Sequence, residues 1–422
     1  MTVSDNKVVV TGVGPVTSIA IGRDALWSAL VEGRSNVQTR TVTIDLERQI
    51  ELPMASMAPG TNIPELETHN AFLATQDLEG YRDLAYALLS VELALADAGL
   101  EYDRDDNRVG AIQAFEAPGV ERTVARMFGL FTAPGPMRGP PPLYDFLAPC
   151  FYNTQAFLYV HVIGKAFGFH GFSTSVHNAC SSGAYAIETA AGRIRCGDTD
   201  VMLVVGGEAF DTGVRLEWFR RSDLYAKDQF MRPFDADSSG FFVGEGAGAI
   251  VLESQTHARA RGANIYATYE GGGFAQQGWK QVIPDVRASR LAGVITRALE
   301  ISNLAVGDLD LIVPHGASTQ LSDRYEAECL AAALTGQRDH AVMTAFKPYV
   351  GHMLAASGII ESICLLLAIK NQAVPATLHT RPKQVQLPVP LATSYVEREI
   401  RTALKLSTGF TGHDTALVFA RV

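Results

Sequence analysis

The sequence predicts an α/β fold, and three observations carry the prediction. Continuous apolar runs such as Val8–Val10, Val201–Val205 and Ala416–Phe419 are the pattern of strands buried on both faces. Alanine-rich stretches with a helical apolar period lie between them, over Leu84–Gly99 and Ala288–Leu304. One order also recurs: a helix, a short acidic connector, then a buried strand at Arg108–Gln113 and again at Leu309–Val313. That recurrence is compatible with an internal duplication and equally with two ordinary α/β units.

Taken in order, Lys7–Gly14 reads as a buried strand ending in a glycine turn. The Gly12-Val13-Gly14-Pro15 segment lacks the third glycine and the following helix of a dinucleotide fingerprint, and Pro15 argues against one. The five prolines between Thr132 and Pro142 mark a loop. From Ala184 the apolar steps Ala184, Ile187, Ala191 and Ile194 give a helix, and Val201–Gly207 gives the next strand.

At 422 residues the chain can hold two or three domains, or one body of repeated halves. Its 47% hydrophobic content indicates a well-packed globular protein. A net charge of −10 argues against a general nucleic-acid binder, which needs clustered Lys and Arg. The longest apolar runs are interrupted by charge, so none is expected to span a membrane. The N-terminus leads into a strand without a signal-peptide core, and five cysteines without disulfide-like spacing fit a reducing compartment. The expected location is cytoplasmic.

Cys180 stands in His177-Asn178-Ala179-Cys180-Ser181-Ser182-Gly183, at or just before the first turn of the Ala184 helix. Free amide N–H groups and the positive end of the dipole there favour a thiolate, the reactive form of a nucleophilic cysteine. Cys150, Cys196, Cys329 and Cys364 read instead as small core residues. His315 follows Leu311-Ile312-Val313-Pro314, at the carboxyl end of a buried strand where α/β sheets bind ligands. His352 follows Gly351 just ahead of another helix.

Together these segments resemble the β-ketoacyl synthases of the thiolase superfamily, over nearly the whole chain. Ala179-Cys180-Ser181-Ser182-Gly183 is similar to the family's nucleophile motif. Pro314-His315-Gly316-Ala317-Ser318-Thr319 with Asp323 and Glu326 is similar to its first histidine motif, and Lys347–Gly358 with His352 and Glu361 to its second. Arg232-Pro233-Phe234-Asp235, Gly244–Gly248 and Gly409-Phe410-Thr411-Gly412 complete the set.

The resemblance implies a thiolase-like fold of duplicated αβαβα halves, with the nucleophile in residues 1–255 and both histidines in 256–422. It implies a two-stage reaction: acyl transfer from a carrier thioester to Cys180, then decarboxylation of a malonyl thioester and attack of the resulting enolate. Backbone N–H groups of Cys180 and Phe410 would form the oxyanion hole, and His315 and His352 would donate Nε2–H to the enolate oxygen. Losing one such donor costs about 3–4 kcal/mol of barrier. Lys347 and Glu361 would be a supporting charge pair. Phe241, Ala317, Thr319, Phe410 and Thr411 would contact substrate.

No metal or redox cofactor is implied, because the substrates ride on the phosphopantetheine of an acyl carrier protein. The implied partners are that carrier and a second subunit, giving a homodimer or a heterodimer with a chain-length-factor-like homologue, with neither nucleic acid nor membrane involved. Carrier proteins are acidic, so docking needs a basic patch, for which Arg215, Arg220 and Arg221 are candidates.

The chain departs from the family pattern at Ala317 (usually threonine), Pro348 (serine), Thr411 (glycine) and Ser238-Ser239 (an Arg-Asp pair). These departures point to a specialised pathway such as polyketide assembly. They also keep open a non-decarboxylating acyltransferase. A non-catalytic chain-length partner would lack the nucleophile. A thiolase proper would need a second cysteine near the C-terminus, and Gly409–Val422 has none.

Overall fold

A computed structural model describes residues 7–57, 63–132, 150–335, 340–381 and 386–422. Of the proline-rich stretch, Thr132 closes the helix Val120–Thr132 rather than opening a loop, and 133–142 lies outside the described residues.

Ten strands lie side by side in one sheet, with the short strand Ala20–Ile21 attached to Val8–Thr17. At its centre Val8–Val10 pairs antiparallel with Ala267–Tyr269. Outward from Val8–Thr17 come Gly246–Ser254 and Val201–Glu208, both antiparallel, then Gly110–Gln113 and Thr174–Ser175, both parallel. Outward from Ala267–Gln276 come His413–Ala420 and Thr402–Gly409, both antiparallel, then Leu311–Val313 and Val342–Met343, both parallel. The two five-stranded halves therefore repeat the same pairings in the same chain order. This is the duplication that the recurring helix-connector-strand pattern allowed.

Packing gives five layers. Met202 and Val204 face a central core with the helices Ser182–Arg195 and Ser357–Asn371, while Leu203 and Val205 face outward onto Arg82–Ala98. In the second half Leu311 and Val313 join the central core, and Ile312 packs outward against Arg290–Ile301 and Gln320–Ala333. Strands with helices on both faces bury both side-chain sets, which is why they read as unbroken apolar runs. The helix Arg82–Ala98 stops at Gly99, whose φ of 56° supplies the left-handed turn.

The two central helices nearly touch. A Cβ on Gly183 would lie 2.9 Å from both the backbone nitrogen and Cγ1 of Ile359, so only glycine permits this approach. Burying a side chain such as Ile359 completely contributes about 1.5–3 kcal/mol, and the contact sets the helix that follows Cys180 against its counterpart.

Two sequence expectations are corrected here. Leu354–Asn371 is long and apolar enough to cross a membrane, but 89% of it is buried inside the protein as the second central helix. Cys196 is exposed rather than a core residue, because it caps the solvent end of Ser182–Arg195. Cys329 and Cys364 are buried and Cys150 is half-buried.

Candidate active site

Cys180 is presented by a strained turn two residues ahead of its helix. Ala179 has φ 49°, a left-handed conformation that costs a non-glycine residue about 1 kcal/mol. Ser182 holds the turn: its hydroxyl donates to Ala179 O at 2.7 Å and accepts from Asn178 N–H at 2.8 Å. Ser181 ties the turn to the other half, donating to His413 O at 2.7 Å. A Cβ on Gly409 would sit 2.9 Å from Asn178 O and 3.3 Å from Cys180 N, so glycine brings the Gly409-Phe410 corner alongside the Cys180 amide.

His315 sits where Leu311–Val313 ends. Glu326, on the following helix, accepts from His315 N–H at 2.6 Å and Gly316 N–H at 2.8 Å. Asp323 accepts from Ser318 N–H at 3.1 Å and from Phe234 N–H at 2.7 Å. Burial pushes these carboxyls up, Glu326 to about 6 and Asp323 to about 8. The acidic residues of the first histidine motif thus fasten its loop to its own helix.

His352 arrives from a different direction. Its N–H donates to Phe242 O at 2.9 Å, and Gly244 N–H donates back to His352 O at 3.1 Å. Its Nδ1 lies 2.8 Å from Ser357 Oγ, and its Nε2 lies 3.2 Å from Cys180 Sγ. The two imidazoles stand edge to face with centroids 5.3 Å apart, and Phe241 meets His352 edge to face at 5.0 Å.

Behind the histidines lies a buried charged layer. Lys347 Nζ donates to Glu361 Oε1 and to His315 O, each at 2.5 Å, and lies 3.4 Å from His315 Nδ1. An ammonium can only donate, so His315 Nδ1 accepts and its proton resides on Nε2. Lys405 Nζ pairs with the other Glu361 oxygen at 2.8 Å.

Proton affinities here follow burial. The Cys180 thiol is pushed well up by desolvation, with Glu116 and Glu208 adding to the rise and Lys347 opposing it. His352 and His315 are held well below the usual imidazole range, first by burial and then by the nearby lysines. Burial thus opposes the thiolate that the helix end favours, and it equally disfavours a charged imidazole at His352.

Cys180, His315, His352, Phe241, Ala317, Thr319 and Phe410 all line one cavity of about 740 Å³. Thr411 does not line it. That residue is exposed at φ 62°, with its N–H donating to Gln281 O at 2.5 Å and its carbonyl accepting from Gln276 at 2.8 Å. Lys347 and Glu361 are fully buried behind the wall. Among the described residues, no group of three or more His, Cys, Asp or Glu is placed to hold a metal ion.

Of the basic patch, Arg215 is corrected. Arg215 lies in an interior ion-pair cluster, 2.7 Å from Glu121 and 3.1 Å from Glu208. Arg220 and Arg221 are exposed, but both pair with Glu217, at 2.6 and 2.7 Å. Lys227 and Lys280 line the cavity and are exposed, Lys227 at 3.3 Å from Asp223. Sequence reasoning missed both, and also missed Lys405 and Ser357. The spacing His352 to Ser357, across the start of the second central helix, is the one signal that could have found the serine.

Comparison with known proteins shows the family. The family model described as "Beta-ketoacyl synthase, N-terminal domain" matches residues 5–258, and "Beta-ketoacyl synthase, C-terminal domain" matches 266–381. The chain is similar to 3-oxoacyl-[acyl-carrier-protein] synthase 2 of Rhizobium meliloti (strain 1021), 30% identical over 98% of this chain and 99% of the relative. Among solved structures it is similar to the ishigamide ketosynthase/chain length factor, with a TM-score of 0.82, 26% identity and 99% of each chain covered. It is also similar to a type II PKS acyl-carrier protein complex with its ketosynthase bound to the hexaketide, with a TM-score of 0.82, 25% identity, and coverage of 99% and 100%.

Proposed function

The chain belongs to the β-ketoacyl synthase family and is an acyltransferase of the β-ketoacyl-[acyl-carrier-protein] synthase type, and from that premise we propose how its own residues run the condensation. The observation that carries the reading is the 3.2 Å approach of Cys180 Sγ to His352 Nε2, inside a cavity that His315 shares.

In the first stage neutral His352 takes the Cys180 proton on Nε2, the thiolate attacks the carrier thioester, and the carrier thiolate leaves and takes that proton back from His352. The amides of Cys180 and Phe410 hold the tetrahedral oxyanion. In the second stage the malonyl thioester loses carbon dioxide, and its enolate oxygen accepts from Nε2–H of His315 and His352. The enolate carbon attacks the acyl thioester, and Cys180 sulfur leaves. Lys347 supports the His315 tautomer that this requires. Ser357 Oγ can accept from Nδ1–H of His352 or donate to its bare Nδ1, so one residue serves as base in stage one and donor in stage two.

Phe241, Ala317, Thr319 and Phe410 form the substrate channel, and Thr411 acts on it through the Phe410 backbone. The two halves divide at 255/256, between the strands Gly246–Ser254 and Ala267–Gln276. The partners are an acyl carrier protein, docking near Lys227 and Lys280, and a second subunit that is either a copy of the chain or a chain-length-factor-like homologue. No free cofactor takes part, and the site of action is the cytoplasm, in a polyketide or specialised fatty-acid pathway. Incubation with acyl carrier, followed by intact-mass measurement, tests the reading. One acyl adduct is expected on the native chain and none on Cys180→Ala, whereas an adduct that survives the substitution refutes it.

A further inference from the structure

Lys405 has no part in the chemistry described so far, yet it is wholly buried on the strand Thr402–Gly409. A buried ammonium is costly unless paired. Its partners are Glu361 Oε2 at 2.8 Å and Ser407 Oγ at 3.2 Å, together with the carbonyl of Leu406. Glu361 carries Lys347 on its other oxygen, so one carboxylate spans two ammonium groups. With Lys347 alone that carboxylate could turn about its last bond and draw Lys347 away from His315. A second cation on the second oxygen removes that freedom.

We propose that Lys405 is a positioning residue for the decarboxylative stage: through Glu361 it holds Lys347 against His315 and so keeps His315 an Nε2–H donor facing the cavity. The inference rests on the role given above to His315. Its charge acts in the same direction. His315 faces Lys347 and the His352 ring, and His352 faces Cys180, Ser357 and the His315 ring; Lys347 and Lys405 both disfavour an imidazolium at either histidine. Removing Lys405 therefore loosens the His315 tautomer and also makes both histidines easier to protonate.

The test compares wild type, Lys405→Met and Lys405→Arg on two readouts, acylation of Cys180 by intact mass and carbon dioxide release from malonyl carrier, across about pH 5.5 to 9. Lys405→Met should acylate at a near wild-type rate while decarboxylation falls on the order of 100-fold, the cost typical of a misplaced catalytic group. The acid limb of its decarboxylation profile should move to higher pH, and Lys405→Arg should restore both. Equal loss of both stages with an unmoved acid limb, or no loss at all, overturns the proposal. Should Lys405→Met fail to fold, Lys405→Gln, which keeps a donor without the charge, is held to the same outcomes. A wild-type protein that releases no carbon dioxide would instead refute the role given to His315.

Discussion

Cys180 Sγ and His352 Nε2 face each other at 3.2 Å across the junction of the two duplicated halves, one contributed by the turn before the first central helix and the other by the turn before the second. The two residues thus stand at equivalent corners of a repeated unit. Glycine at 183 lets those two helices approach closely.

The proton state of that contact gives the first prediction. Burial raises the Cys180 thiol and disfavours a charged imidazole at His352. Alkylation of Cys180 by iodoacetamide should climb steadily through the alkaline range. A plateau reached below pH 7 would mean a resting thiolate. His352→Ala should slow acyl loading by about 10²–10⁴-fold, the usual worth of a positioned base.

Arg215 and the cavity lysines should part company under mutation. Arg215→Ala strands Glu121 and Glu208 inside the protein and should cost about 3–5 kcal/mol in denaturant titration. Charge reversal at Lys227 and Lys280, both exposed, should leave stability within about 0.5 kcal/mol. It should raise the KM for acyl carrier, with the effect shrinking as salt is added.

Much of this was legible in the sequence, and the failures share a cause. The α/β class followed from apolar runs at Val201–Val205 and Ala416–Phe419, and the site followed from glycine and small residues around Cys180, His315 and His352. The misread features all depend on tertiary burial. A helix end argues locally for a thiolate, while desolvation of Cys180 comes from the whole fold. Arg215 looks like surface charge until the fold encloses it. Lys405 reads as one polar residue in an apolar strand, and nothing in its neighbourhood announces Glu361. Cys196 belongs to a helical apolar stretch but falls on its exposed cap.

Asp414 sets a pH dependence of stability. It is fully buried and accepts from Gln277 at 2.8 Å and Tyr325 at 2.8 Å, and desolvation pushes its carboxyl up to about 6. A carboxyl raised on folding stabilises fully below its unfolded pKa of about 4, and that contribution is lost as pH climbs to about 6 and beyond. Asp414→Asn should flatten the fall in Tm between about pH 4 and 7, a contribution on the order of 2–3 kcal/mol. An unchanged slope would place the cause elsewhere.

Thr411 occupies a left-handed conformation at φ 62° that glycine adopts freely. Thr411→Gly should raise stability by about 1 kcal/mol in chemical denaturation. A loss of stability would show that its side-chain bond to Phe410 O outweighs the strain.

The central claim is that Cys180, His315 and His352 together perform a decarboxylative condensation. Its most direct test is a single-turnover assay with acyl carrier and carboxyl-labelled malonyl carrier, following labelled carbon dioxide and the β-ketoacyl product together. Both should appear in equal amount and both should vanish in Cys180→Ala, while His315→Ala should still acylate but release little carbon dioxide. Acylation of the native chain with no release of label would contradict it, and would make the protein an acyltransferase that does not decarboxylate.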